Sequence, residues 1–489
     1  MQVRLPDASR SAIGVTASLI GFLFLVEITS GIIQGFYVPL IPDLVEHLGI
    51  RDADFNWFEA AQLLLSAIVV PVLAKLGDMV GHKRILLIST VLTAAASWWL
   101  VVAGDFTSFL IAWALQGFYV VWLPLEVALI FDRGRRTGRA ASQTRRAAGL
   151  LVVALEAGAI IGALSSGQIF SAVGENVPLT MMLPAVAVTL VFFAILFGVP
   201  ESTPSTGRRL DLVGFTILTL GLLLVTSGLT FLRINGPETW WVWALIAVGV
   251  LSFLPFGAYE LRQKDPAIDI RMLAKPQMWP VQLTAGLVGI SLLGAQAPLA
   301  TFAGTDPVNG YGLGLPASSI SYLIGAYLIS MIVGALLFPL VSQRTSPRVA
   351  MIVATVLVAV GYGLFLPFHT ETWQVFANMA IAGLGSGALV GALPAAAAAA
   401  APEGRTGIAA GLTNTTKTIG GSFASAVFAL VLLHGAASAV TATASSLSGY
   451  LVVWSICAGG ALVAAVLLFF VPKLAFADPT VTPSPSARP

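Results

Sequence analysis

Charge is what this chain has least of. Charged residues make up 10% of its 489 positions, against roughly 25% in soluble domains, while 57% are hydrophobic. Too few polar side chains exist to cover a water-soluble globule of this length, which excludes that class. Cysteine is almost absent as well. Cys457 stands alone, so no disulfide closes within one chain and no cysteine metal site can form. The net charge is +2 and the basic residues are dispersed, which gives nucleic acid no basic face to bind. No Gly-x-x-x-x-Gly-Lys-Ser/Thr loop is present to cradle a nucleotide for hydrolysis, so an ion gradient is the energy source to expect and no organic cofactor is called for. His47, His82, His369 and His434 fall at or near loop ends, which leaves carboxyl groups as the proton carriers.

What the chain does have is long apolar runs. A membrane-spanning helix needs ~20 apolar residues, and hydrocarbon demands that its backbone groups be bonded internally. Fourteen such runs can be marked, from Ala12–Ile41 to Gly449–Val471. Arg4 and Arg10 ahead of the first run imitate a signal peptide, but the run is too long and no small-residue cleavage site ends it; it reads as the first span. The even count puts both termini on one side. Of the 25 Lys and Arg, 22 fall on that side, Arg51 and Arg233 on the other, and Lys417 inside a span. Cytoplasmic loops keep their basic residues, so both termini are expected in the cytoplasm and the protein in the cell membrane among lipids. A wrong span count would have scrambled this asymmetry. The loops hold no soluble domain; the longest on the basic side, Glu260 to Met278, is expected to carry a short amphipathic segment at the lipid surface. The Pro- and Ser-rich end of the chain, residues 472–489, reads as a disordered tail.

Between the second and third runs lies Ala74-Lys75-Leu76-Gly77-Asp78-Met79-Val80-Gly81-His82-Lys83-Arg84. Gly77 and Gly81 permit a tight turn at the membrane surface. Asp78 can cap a helix or pair with a basic group across a domain interface, and Lys83 and Arg84 can anchor at lipid phosphates.

This stretch resembles the loop motif of the major facilitator superfamily. Further segments resemble that superfamily's fourteen-span drug:proton antiporters: Arg208-Arg209-Leu210-Asp211-Leu212-Val213-Gly214, Tyr259-Glu260-Leu261 with Pro266 to Arg271, Gln116-Gly117 with Pro124, and Gly411-Leu412-x-Asn414 with Lys417-x-x-Gly420-Gly421. The resemblance implies an all-α integral membrane fold of 14 transmembrane helices. Residues 1–199 would form one six-helix bundle, 200–278 two additional spans with their loops, and 279–471 a second six-helix bundle. It also implies a small-molecule substrate in a central cavity opening alternately to each side, with Gly77, Asp78, Gly81, Lys83 and Arg84 as a gate. One chain would suffice, so a monomer is expected. Three positions depart from the family pattern: Ala74 where the motif usually begins with Gly, Trp113 where an Arg usually precedes Gln-Gly, and Ala163 where the fifth span usually has Pro.

The chemistry is expected at ionisable groups that hydrocarbon does not tolerate without a reason, since each costs about 2.5–3.5 kcal/mol at a helix centre. Four stand out: Glu27, Glu126, Glu156 and Lys417. Glu27 lies near the middle of its run and shares a helical face with Gly31, Gln34 and Val38, as a proton carrier or as a permanently protonated acid bonding a neighbouring helix. Glu156 points away from Gly158 and Gly162, so a small-residue face can pack while the acid faces a cavity. Glu126, with Trp122 and Tyr119 at i−4 and i−7, suits either a cationic or flat amphipathic ligand or an inner gate pairing with the Arg133 to Arg146 cluster. Lys417 can hold an anion or pair with one of the acids in one conformation. Gln34, Gln296 and Asn414 complete the candidate substrate contacts. Proton-coupled export of amphipathic drugs, antibiotics or metabolites is the function these features favour. Proton-coupled import of a small nutrient stays open, and so, more remotely, does a lipid-linked glycosyltransferase using Asp43, Glu46, Asp52 and Asp54.

Overall fold

The computed structural model describes residues 17–136, 140–202, 210–263, 266, 268–400, 406–433 and 443–471. The tail from 472 onward lies outside them. The described chain is all helix and connection, with fourteen helical stretches long and apolar enough to cross a membrane. These are α1 (Ser18–Leu48), α2 (Asp52–Val80), α3 (His82–Val102), α4 (Phe106–Ile130), α5 (Leu150–Ala172), α6 (Val177–Gly198) and α7 (Leu212–Leu232). The series continues with α8 (Trp240–Glu260), α9 (Trp279–Gly304), α10 (Ala317–Arg344), α11 (Pro347–Leu364), α12 (Thr372–Ala400), α13 (Gly411–Leu433) and α14 (Leu447–Leu468). Side-chain caps fix several starts. Asp105 accepts from the N–H groups of Thr107 and Ser108 at the head of α4, and Ser446 accepts from Gly449 at the head of α14.

Helices α1 to α6 pack as one bundle and α9 to α14 as another, and α7 pairs with α8. Leu218 and Leu222 of α7 and Phe256 of α8 pack with Leu64 of α2, Ile419 and Phe423 of α13, which places the additional pair along the α2–α13 junction. Large apolar side chains such as Leu190, Phe197, Leu254 and Leu336 stay more than half exposed, as a lipid-facing surface requires. Trp98, Trp99, Trp240, Trp241, Trp243 and Trp373 are exposed too, but Trp57 is buried between the bundles against Ala60, Ala426 and Ala429.

Two local expectations change. Asp43 and Glu46 lie on a helical extension of α1 (Ile41–Leu48), and Asp52 and Asp54 open α2, with Asp54 accepting from the Arg51 N–H at 3.3 Å. Among its described residues, the connection after α8 carries the single helical turn Ile270–Leu273. That turn buries Met272 in the protein core, so it docks on protein where a lipid-lying segment was expected.

The bundles meet at two seams, α2 with α13 and α5 with α10. At the first, Ser422 Oγ donates to the Ala60 carbonyl at 2.8 Å, and the Asp52 N–H reaches the Thr443 carbonyl at 2.9 Å. At the second, Ser321 Oγ accepts from the Gly167 N–H at 3.1 Å, and Leu164 packs against Gly325. All of these contacts lie in the half of the molecule remote from the loop that carries Gly77 to Arg84.

Candidate functional site

Backbone packing places the charged groups. A Cβ on Gly31 of α1 would overlap the Leu155 carbonyl of α5, and one on Gly158 would overlap Ile28. The other bundle repeats the arrangement: a Cβ on Gly289 of α9 would overlap the Lys417 carbonyl of α13, and one on Gly420 would overlap Gly286. Small residues let the two helices of each pair touch backbone to backbone. Matching Gly158 to Gly420 puts Glu156 and Lys417 within one residue of equivalent positions in the two halves. Both are half-buried, and their mutual electrostatic influence sets them toward the space between the bundles. The Glu156 carboxylate and the Lys417 ammonium sense each other's charge across that space without forming an ion pair.

Gln34 is exposed although its neighbours on α1 are buried. It lies nine residues after lipid-facing Leu25, half a turn around the helix at 100° per residue, so its exposure is to the interior. Asn414 is half-buried on α13. Gln296 is half-buried where α9 breaks, and its amide donates to the Leu292 carbonyl at 3.0 Å.

Glu27 and Glu126 belong elsewhere. Each is fully buried, and their carboxyl groups act on each other across the contact between α1 and α4. None of the four oxygens has another hydrogen-bond partner, and the two carboxyl groups lie close enough to share a hydrogen bond when one of them carries the proton. They were read from sequence as separate sites; the fold makes them one. The expected stripe of Tyr119, Trp122 and Glu126 is also altered. A 3-10 segment, Gly117–Val121, interrupts α4, and all three side chains are buried in the bundle core and closed to a ligand in this conformation. Ser66 Oγ braces that segment by donating to the Gly117 carbonyl at 3.0 Å.

Glu59 is the acid that sequence reading passed over, because it sits inside a run counted as apolar. It is buried on α2 one turn from Gln62, and its charge, like that of Glu27, acts on Tyr119. Gln116 is a hub: its amide donates to Tyr37 Oη at 2.9 Å and Ser97 Oγ at 3.0 Å, and its carbonyl accepts from Gln62 at 3.4 Å. Trp113 fills an aromatic cluster with Tyr37, Phe55 and Phe109, ring centroids 5.0–5.5 Å away, which is why no arginine is accommodated there.

The loop motif is held within its own bundle. Gly81 has φ +114°, a backbone that a Cβ would strain, and a side chain there would strike Glu201. Asp78, in the last turn of α2, lies 3.2 Å from Nε2 of His82, whose Nδ1 faces Ser202 Oγ at 2.7 Å. His82 is buried, and so is more than a loop-end histidine. Lys83 donates through Nζ to the Leu196 carbonyl at 2.8 Å, and Arg84 pairs with Glu201 at 3.7 Å; both cations were expected at lipid phosphates. A cation on the last carbonyls of α6 is the favourable end of that helix dipole.

The Major Facilitator Superfamily model matches residues 23–425. The chain is similar to an uncharacterised MFS-type transporter, YfiU, of Bacillus subtilis (25% identical; 84% of this chain, 78% of that protein). It is also similar to the cephamycin export protein CmcT of Amycolatopsis lactamdurans (26% identical; 83% and 82%) and to the puromycin resistance protein pur8 of Streptomyces alboniger (26%; 87% and 85%). Among solved structures, the peptide transporter POT in complex with sulfate superposes with TM-score 0.66 at 14% identity, covering 95% of this chain and 98% of that one. The nucleoside transporter NupG does so with TM-score 0.63 at 12% identity (93% and 98%). Those two likenesses speak for the fold alone. The family and these relatives are transporters, not enzymes, which sets aside the glycosyltransferase reading.

Proposed function

This chain belongs to the major facilitator superfamily and is a multi-pass membrane transporter of a small molecule; from that premise we propose that it couples proton entry to export of amphipathic drugs or antibiotics. The sealed Glu27–Glu126 pair carries the reading. Two carboxylates that close, cut off from water, repel too strongly for both to ionise, so the pair keeps a proton until the packing of α1 and α4 changes. The bundles rock about the seams, the space around Glu156, Lys417, Gln34 and Asn414 opens to the other side, and the pair meets water and exchanges its proton. Substrate occupies the cavity in the deprotonated state. The cephamycin export protein among its relatives supports the direction, and the 22-to-2 distribution of Lys and Arg supports cytoplasmic termini.

Everted membrane vesicles with an imposed pH gradient test this with puromycin and a cephamycin as probes. Accumulation that collapses with a proton ionophore is expected. Accumulation only in right-side-out vesicles would identify a symporter, and accumulation indifferent to the gradient would reject proton coupling.

A further inference from the structure

Resting on the transporter reading, we infer that the cavity takes a zwitterion, an amphipathic molecule with one ammonium and one carboxylate group, spanned between Glu156 and Lys417. The two side chains stand at nearly equivalent register on opposite bundles, both half-buried, within reach of each other's charge and unpaired. Tyr327 of α10 adds a third polar group. Its hydroxyl is buried beside the Ser386 hydroxyl and lies within electrostatic reach of Glu156.

The choice of ligand follows from what each alternative leaves uncompensated. A cation neutralises Glu156 but brings a second positive charge toward Lys417. An anion does the reverse. A neutral ligand strips water from both charges and returns nothing. Only a molecule carrying both signs satisfies both walls, and in doing so it ties one bundle to the other.

Equilibrium binding to the purified full-length protein tests this with three ligands on one fluorescent scaffold. They are Nε-dansyl-lysine, with both charges; its methyl ester, with the ammonium only; and its Nα-acetyl derivative, with the carboxylate only. The free amino acid is expected to bind about tenfold tighter than either derivative, as one charge-assisted contact allows. Lys417→Gln should erase its advantage over the ester, and Glu156→Gln its advantage over the acetyl derivative. Each single variant keeps one matched derivative as a report of folded protein. Should either variant lose all three ligands, the charge exchange Glu156→Lys with Lys417→Glu carries the test and should retain the preference for the free amino acid. Equal affinities, tighter binding of a singly charged derivative, no binding of the free amino acid, or loss of its preference in the exchanged protein would overturn the assignment. No gradient is present in this assay, so its failure is distinct from a failure of proton coupling.

Discussion

The two bundles share a backbone plan and almost nothing of their chemistry. In both, a glycine-lined helix presses on its partner, Gly31 with Leu155 in one and Gly289 with Lys417 in the other. Every acid within the spans of the two bundles, including Glu27, Glu59, Glu126 and Glu156, belongs to the first; α9 to α14 contain none and supply Lys417. Both bundles pack aromatic rings, the first around Trp113 and the second around Trp454, whose ring centroid lies 4.8–6.3 Å from those of Tyr362, Phe365 and Tyr450. Internal repetition thus supplies the hinge geometry, while the substitutions laid over it divide labour, proton handling to one half and a counter-charge to the other.

The largest effect expected from breaking this division is on uphill transport. Glu126→Gln should abolish gradient-driven accumulation in vesicles, whereas Thr284→Val, also a buried group without a hydrogen-bond partner but in the other bundle, should retain proton-driven transport. Equal loss in both would mean that proton handling is shared between the halves. Next in size is the common backbone plan. Gly31→Val and Gly289→Val should each destabilise the protein by about 3 kcal/mol or more, the upper range for overpacking, because backbone and not a yielding side chain is in the way. Thermal melting of the two purified variants would show it, and a silent variant in one half would end the equivalence. Smallest is Arg84→Gln: the partner Glu201 is 3.7 Å away and the Arg84 side chain is 70% exposed, so less than about 1 kcal/mol is expected in the same melting assay.

The spans were legible in sequence because hydrocarbon leaves helices few options: length, apolarity and the alternation of basic loops define them. Individual charged positions were legible for the same reason, since Glu27, Glu126, Glu156 and Lys417 each break an apolar run. Which of them meet was not. Glu27 and Glu126 are 99 residues apart in sequence and come together only through the α1–α4 contact. Glu59 was missed because five residues into a run it looked like an end, and its burial depends on the packing of α2 against the 3-10 break in α4. The motif cations were assigned to lipid because sequence cannot show that the end of α6 and the segment after it return to Gly81, offering the Leu196 carbonyl to Lys83 and Glu201 to Arg84.

The central claim is that the Glu27–Glu126 pair carries the proton. Its most direct test is transport into proteoliposomes with and without a pH gradient, native protein against Glu27→Gln. The glutamine variant should still let substrate equilibrate down its own gradient but lose uphill accumulation and its response to the pH gradient. Unchanged gradient dependence in that variant would contradict the account.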